Sequence, residues 1–178
     1  MNLNQAWNLI NRADLLVGET EIECTLDHLA ARIGDALADR LPLVLCVMGG
    51  AVVFTGKLMP RLMFPLEFDY LHASRYRDGT RGGDIEWSAL PKKEVAGRCV
   101  LLLDDILDEG HTLAAAKSKL LEMGAAEVLI AVLAEKDLGQ DKPAKPVQAD
   151  FVGMTLPNRY VFGMGMDAYG YWRNLPAI

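Results

Sequence analysis

The 178-residue chain contains only three cysteines, and aromatic residues make up 7% of it. Cys24, Cys46 and Cys99 lie far apart, without the C-x-x-C spacing of zinc or redox motifs. Cys46 and Cys99 fall within apolar runs, so we expect both to be small buried hydrophobic side chains in a reducing compartment.

The chain also lacks a net positive charge and an apolar stretch long enough to span a membrane. The net charge of −6 gives no general attraction to nucleic acid or to an anionic membrane, so a polyanionic ligand would need a local arrangement or a metal ion. The start MNLNQAWNLI has no basic segment followed by an apolar run, and no apolar stretch is long enough to span a bilayer. We therefore expect no signal peptide and a cytoplasmic location.

The composition, 51% hydrophobic and 24% charged, is that of an ordinary globular protein. The length predicts a single domain over residues 1–178. Helical spacing of apolar residues predicts helices within 2–13, 20–41, 53–63 and 111–125. Thr20 is a candidate cap for the second of these helices, and Gly124 is expected to end the fourth.

Apolar runs predict the strands, which lie within 43–53, 65–73, 98–107, 127–136, 151–156 and 160–166. The polar, basic and glycine-rich segment 74–87 is expected to be a mobile loop or the tip of a hairpin. Strands that alternate with helices predict an α/β fold around a mainly parallel sheet. Such sheets bind ligands outside the carboxyl ends of their strands, where Met48–Gly50 and Asp104–Thr112 are expected to lie.

The segment VLLLDDILDEGHTL, residues 100–113, places several acids at the end of a buried strand. Because neighbouring carboxylates repel one another, the pattern indicates that a cation or a group rich in hydrogen-bond donors binds there. A Walker B strand is one alternative, but the chain lacks G-x-x-x-x-G-K-[ST]. A strand end with solvated acids is another. Gly110 and the amides that enter the next helix favour an anion nest, and so a magnesium-bound sugar phosphate.

The same segment resembles the phosphoribosyl pyrophosphate (PRPP) signature of type I phosphoribosyltransferases. LCVMGGAVVF resembles the pyrophosphate loop of the hypoxanthine-guanine branch, VLAEK its purine-contacting segment, and FVGMTLPNRYVFGMGMDAYGYWRNLP its C-terminal signature. These matches run in the family's order from about Leu41 to the end of the sequence. The resemblance implies the type I fold, with a small hood formed by the N- and C-terminal segments.

The resemblance assigns roles to three acids. Asp104 and Asp105 match the pair that holds the ribose hydroxyls, largely through Mg²⁺, although the first is usually Glu in the family. Asp108 matches the general acid/base at a purine ring nitrogen, a role that suits a carboxylate because a ring proton must leave. The alternative for Asp108 is a helix N-cap.

The residues after Asp108 match the nest that holds the nucleotide's phosphate. They are Glu109, Gly110, His111 and Thr112. Glu109 departs from the family pattern, since it places a negative side chain beside a phosphate. Backbone amides would still bind the anion with Glu109 directed outward.

The base side of the site follows from the two remaining motifs. Lys136 matches the lysine that donates to the exocyclic oxygen of 6-oxopurines; a solvated lysine at a strand end is the alternative. Tyr160 matches the aromatic residue that stacks on the base, and Val161 the residue whose backbone contacts the base edge; an ordinary core position is the alternative. Asp167 matches an acid that helps to bind a second metal ion, and Arg173 an arginine that reaches pyrophosphate.

Two loops depart from the family pattern. The pyrophosphate loop Met48, Gly49 and Gly50 has glycine where many relatives have lysine, and the family's Met48–Gly49 equivalent can be a cis peptide. Mg²⁺ and backbone amides would then carry more of the charge. A lid over the reaction matches the segment with Ser74, Arg75 and Tyr76, where the family has an adjacent Ser-Tyr pair.

The resemblance implies a magnesium-dependent purine salvage enzyme. Such an enzyme joins hypoxanthine or guanine to PRPP and forms IMP or GMP with release of pyrophosphate. Two alternatives stay open: a regulator that senses PRPP or nucleotides on the same fold, and a xanthine or pyrimidine phosphoribosyltransferase. The family tends to form homodimers or homotetramers, and we expect no nucleic-acid or membrane partner.

Overall fold

The computed structural model describes residues 1–75, 85–139 and 143–178. Its strands are β1 (Leu43–Met48), β2 (Glu67–Arg75), β3 (Ile85–Ala89), β4 (Cys99–Leu107), β5 (Glu127–Lys136) and β6 (Phe151–Leu156). Its helices are α1 (Leu3–Ile10), α2 (Glu19–Leu37), α3 (Val52–Leu58) and α4 (His111–Glu122), with a 3-10 turn at Met59–Arg61. The turn follows α3 because Pro60 cannot continue an α-helix.

The six strands form one sheet in the order β3-β2-β1-β4-β5-β6. Every neighbouring pair is parallel except β2 and β3. Both faces are covered: α2 and α3 pack on one face, and α4 packs on the other. The central strands are therefore apolar without alternation, as expected for a parallel sheet buried on both sides. The predicted α/β fold is confirmed.

Helix α2 carries the predicted apolar stripe. Each of its five residues is at most 1% exposed: Ile22, Leu26, Leu29, Ile33 and Leu37. The predicted cap at Thr20 is wrong, because the helix begins at Glu19 and its N-cap is Gly18. Carboxylates at Glu19 and Glu21 lie in the first turn, where they interact favourably with the helix dipole.

The segment predicted as a loop over 74–87 contains more strand than expected. Ser74 and Arg75 end β2, and residues 85–89 form β3, which pairs antiparallel with β2. The alternation in IEWSA, with Ile85 and Trp87 partly buried between exposed neighbours, is the period of an edge strand. The predicted hairpin tip and Tyr76 lie outside the described residues.

The predicted strand over 160–166 is wrong. Only a single bridge joins Gly163 to Met166 among these residues, and both Gly163 and Gly165 have positive φ, at 97° and 105°. An extended strand cannot contain these left-handed positions, so the apolar pattern here belongs to a folded loop.

The N- and C-terminal segments pack together beside the sheet and form the expected hood. The rings of Trp7 and Trp172 meet edge to face with centroids 5.2 Å apart. The indole N–H of Trp172 donates to the carbonyl of Ala6 at 3.1 Å, and the amide of Leu16 donates to the carbonyl of Ile178 at 2.8 Å.

Cysteine burial differs from the expectation at one position. Cys46 is 2% exposed, as expected, but Cys99 is only partly buried and Cys24 is exposed. Cys99 begins β4 at the opposite end of the sheet from the acids. Among the described helices, none has both the length and the apolar character needed to cross a bilayer.

Candidate active site

A cavity of about 540 Å³ opens at the carboxyl ends of β1, β4 and β5, with the hood along one side. All the predicted site residues outside the lid line it: Met48, Gly49, Gly50, Asp104, Asp105, Asp108, Glu109, Gly110, His111, Thr112, Lys136, Tyr160, Val161, Asp167 and Arg173. Of the predicted lid residues, Ser74 and Arg75 lie at the end of β2, and Tyr76 is outside the described residues.

The acid pair lies near the end of β4. Oδ1 of Asp104 accepts from the amide of Asp105 at 3.0 Å, and Oδ1 of Asp105 accepts from the amide of Ile106 at 2.8 Å. Burial, reinforced by the neighbouring carboxylate of Asp105, raises the pKa of Asp104 well above its ordinary value. Burial also raises the pKa of Asp105, although hydrogen bonds and the guanidinium of Arg173 act in the opposite direction. Ionisation of this pair is therefore unfavourable unless a cation or hydrogen-bond donors bind to it.

Glycines bring the loop after β1 and the hood directly against the acid pair. A Cβ atom at Gly50 would lie 2.3 Å from Oδ2 of Asp105. A Cβ atom at Gly165 would lie 2.0 Å from the carbonyl oxygen of Gly50, and Gly165 has a φ of 105°. Side chains at either position would collide with the opposing segment. The Met48–Gly49 peptide is cis, as the resemblance implied.

Asp108 and Lys136 form an ion pair across the ends of β4 and β5. Nζ of Lys136 donates to Oδ2 of Asp108 at 2.6 Å. Lys136 is 9% exposed, so the solvated strand-end alternative is wrong. The N-cap of α4 is Gly110 rather than Asp108, so the capping alternative is also wrong. The carboxylate of Asp108 remains accessible from the cavity, with 45% of its side chain exposed.

The residues from Glu109 to Thr112 lead from β4 into α4. Gly110 adopts the left-handed conformation, with φ 83°, and no side chain caps the helix. Its first backbone amides, which have no partner within the helix, adjoin the cavity. A helix N-terminus with such amides favours an anion.

The hood side of the cavity is organised by Asp167. Its Oδ1 accepts from Nη2 of Arg173 at 2.6 Å, and its Oδ2 accepts from the amide of Gly170 at 2.7 Å. The hydroxyl of Tyr160 donates to the carbonyl of Asp167 at 3.2 Å. Tyr160 is 65% exposed, so the core alternative is wrong for this ring. Val161 is partly buried beside it.

The sequence reasoning missed further residues that line the cavity, among them His72 and Met166. His72 stands opposite Met48 in the parallel register of β1 and β2. Its place near the carboxyl end of a strand was a usable signal, but a single histidine in an alternating strand does not stand out. Met166 lies in the segment wrongly predicted as a strand.

The acid pair fits Mg²⁺ as part of a larger coordination sphere. Within the described ranges, no group of three or more His, Cys, Asp or Glu side chains is placed to hold a metal ion. Mg²⁺ commonly binds through one or two carboxylates together with substrate oxygens, which suits Asp104 and Asp105. Asp167, the third predicted metal ligand, forms an ion pair with Arg173, and its metal role stays a prediction.

Comparisons with known proteins agree with this geometry. The model of the phosphoribosyl transferase domain matches residues 18–168. The hypoxanthine-guanine-xanthine phosphoribosyltransferase of Tritrichomonas foetus is 34% identical over 164 residues, which cover 92% of this chain and 88% of the relative. The hypoxanthine-guanine phosphoribosyltransferase of Lactococcus lactis is 34% identical over 165 residues, with the same two coverages.

The fold comparison gives the same result. A solved hypoxanthine-guanine-xanthine phosphoribosyltransferase superposes with a TM-score of 0.81 at 31% identity, covering 92% of this chain and 93% of the other. The sheet that carries the acid pair and the glycine loop thus has the architecture of that enzyme, and the chain is a member of the phosphoribosyltransferase family.

Proposed function

We propose that the protein transfers the phosphoribosyl group of PRPP to hypoxanthine or guanine in purine salvage, giving IMP or GMP and pyrophosphate. The observation that carries the proposal is the ion pair of Lys136 and Asp108, which lies in one cavity with the acid pair and the anion nest. The names of the relatives from T. foetus and L. lactis support the same substrate class.

The purine is held on the base side of the cavity. Lys136 donates to the exocyclic oxygen, a contact that favours 6-oxopurines because an ammonium group has donors and no acceptors. The exposed ring of Tyr160 stacks on the base, and the backbone of Val161 contacts its edge. Asp108 lies next to Lys136, so it would lie beside a neighbouring ring nitrogen of the purine and could accept the proton from it.

The phosphoribosyl group lies between the nest and the acid pair. The amides that open α4, over Glu109–Thr112, bind the 5′-phosphate, and Asp104 and Asp105 face the ribose hydroxyls. Mg²⁺, when bound, offsets the charge of the pyrophosphate and of these two carboxylates. The backbone of Met48–Gly50 and the guanidinium of Arg173 contact the pyrophosphate.

The reaction exchanges one bond at the ribose C1 for another. The bond to the pyrophosphate oxygen breaks, and a purine nitrogen forms the new C–N bond. Asp108 accepts the proton that the purine ring releases. The carboxylates beside the ribose favour the positive charge that develops on the sugar as pyrophosphate departs. By family resemblance, the segment with Ser74, Arg75 and Tyr76 is the lid. Its role is to exclude water, which otherwise hydrolyses the activated sugar.

Xanthine is a second candidate base, because the relative from T. foetus is named for three purines. The regulator alternative has less support, since the chain has a net charge of −6 and Lys136, Tyr160 and Asp167 all line the cavity. We further propose that the enzyme is cytoplasmic. We also propose that residues 1–178 form one domain, because all six described strands join one sheet. A homodimer or homotetramer is the proposed assembly, by family resemblance.

An absorbance assay with PRPP and Mg²⁺ tests the function. Hypoxanthine, guanine, xanthine, adenine and uracil are supplied one at a time, and turnover of the 6-oxopurines alone is the expected result. No turnover with any purine by folded protein that still binds PRPP would contradict the proposal and favour a regulator. Turnover of uracil alone would place the substrate among the pyrimidines.

A further inference from the structure

Lys145 lies behind the Asp108–Lys136 pair and is nearly enclosed, with 13% of its side chain exposed. Its Nζ donates to the carbonyl of Lys136 at 2.7 Å, to Oε1 of Glu135 at 2.9 Å and to the carbonyl of Leu107 at 3.1 Å. An ammonium group has three N–H donors, so all of them have an acceptor.

The three acceptors come from the ends of two neighbouring strands. Leu107 ends β4 and stands opposite Glu135 of β5 in the parallel register, and Lys136 ends β5. The residue after Leu107 is Asp108. Lys145 itself belongs to the connection between β5 and β6, so its side chain reaches the two strand ends from outside the sheet.

The contacts of Lys145 differ from those of a surface lysine that only forms an ion pair with an acid. Exposed ion pairs contribute little, and their side chains are mobile. Here two of the three acceptors are backbone carbonyls at the point where the ladder between β4 and β5 stops. Removing the ammonium group would leave enclosed carbonyls without that donor, and their strand ends would be free to shift.

We infer that Lys145 is a positioning residue, which fixes the strand ends that carry Asp108 and Lys136 and thereby orients the purine base. This inference rests on the proposed roles of Asp108 and Lys136. The phosphate and ribose groups are held elsewhere, by the nest and the acid pair. Loss of Lys145 should therefore weaken binding of the purine base far more than binding of PRPP.

The test compares K145M with K119M in steady-state assays with hypoxanthine and PRPP. Lys119 forms a surface pair with Glu122 on α4 and serves as the matched control. In K145M we expect KM for hypoxanthine to rise at least about fivefold and kcat/KM for this base to fall about 10- to 100-fold, since small misplacements are costly to catalysis. KM for PRPP should change less than about twofold, and K119M should match the wild type.

Conservative variants separate positioning from folding. K145R retains the charge and several N–H donors, so it should recover most of the affinity for hypoxanthine that K145M loses. E135Q keeps both backbone contacts and should have the smallest effect. If K145M melts below the assay temperature, K145Q replaces it with the same expected direction. A fall in kcat with both KM values unchanged would show a loss of folded enzyme only and would overturn the inference.

Two further variants test the proposed function separately from the role of Lys145 that rests on it. D108N and K136M are measured in the same assay. If neither changes the kinetics with hypoxanthine, the proposed roles of Asp108 and Lys136 fail. If both respond and K145M does not, only the positioning role of Lys145 fails.

Discussion

Oδ1 of Asp104 accepts a 3.0 Å hydrogen bond from the amide of Asp105, so two acids that follow one another in β4 are linked within one enclosed site. Burial raises the pKa of both carboxyls, and that of Asp104 the more strongly. In the ligand-free protein, the surroundings therefore disfavour ionisation of this pair. A bound cation would offset that cost.

The acid pair predicts a dependence of stability on pH. Because the pKa of Asp104 is raised in the folded state, the folded protein binds more protons than the unfolded chain between the two pKa values, and its stability falls as pH rises through that window. D104N removes the charge and keeps an oxygen acceptor for the amide of Asp105. We expect D104N to melt at a higher temperature than the wild type at pH 7, with the difference shrinking towards pH 4.

Thermal melts from pH 4 to pH 8 without PRPP or metal measure this effect. D35N, at an exposed position of α2, should leave the curve unchanged. A wild type and a D104N variant that respond alike to pH would show that Asp104 is not a destabilising charge.

Asp108 should be needed for chemistry rather than for PRPP binding. D108N keeps the shape of the side chain but cannot accept the proton from the purine. We expect kcat to fall about 10²- to 10⁴-fold, with little change in KM for PRPP, as is typical for loss of a general base. Initial rates with hypoxanthine at saturating PRPP provide the measurement. Unchanged turnover would remove Asp108 from the mechanism.

Gly50 offers a sharp steric test. The Cβ atom of G50A would lie 2.3 Å from Oδ2 of Asp105, so either the carboxyl or the loop must shift. A displacement on the order of 1 Å at this site should lower kcat/KM at least about 100-fold. G56A is the control, because a Cβ atom at Gly56, within α3, meets nothing within 4 Å. G56A should stay fully active. Full activity in G50A would show that the loop can shift without loss of catalysis.

Lys136 should determine the choice of base. K136M removes the donor to the exocyclic oxygen and also leaves Asp108 without its partner at 2.6 Å. We expect kcat/KM for hypoxanthine to fall about 100-fold or more, because the site loses a hydrogen bond that the substrate needs. Dissociation constants measured in parallel should rise for hypoxanthine and change much less for adenine. Equal losses of affinity for both bases would mean that Lys136 supports the site without discriminating between them.

Much of this site follows from local patterns. Strand β5 begins and ends where its apolar run does, and β6 matches the run FVGMTL, because breaks in composition bound both segments. The carboxyl ends of β1 and β4 bring Met48 and Asp104 into one cavity, as the parallel topology requires. Reasoning from the sequence therefore found the residues at the ends of β1 and β4, although it missed His72 near the end of β2.

The remaining differences arise from packing between distant segments. Strand β3 is short and half exposed, so its alternation was hidden in a polar, glycine-rich segment. The apolar residues at 160–166 pack as a loop because Gly163 and Gly165 take positive φ values. Lys145 reaches Leu107 across 38 positions of the chain, and no local pattern indicates such a contact.

The contact between Gly50 and Gly165 has a consequence for redesign. This wall of the cavity is backbone against backbone, so no rotamer is available there to absorb a change, and its shape follows from the path of the chain. Elsewhere the cavity is lined by side chains, among them those of Asp108, Lys136 and Tyr160. Libraries that aim to alter base preference should vary Lys136 and Tyr160, keep Asp108 for the chemistry, and leave both glycines untouched.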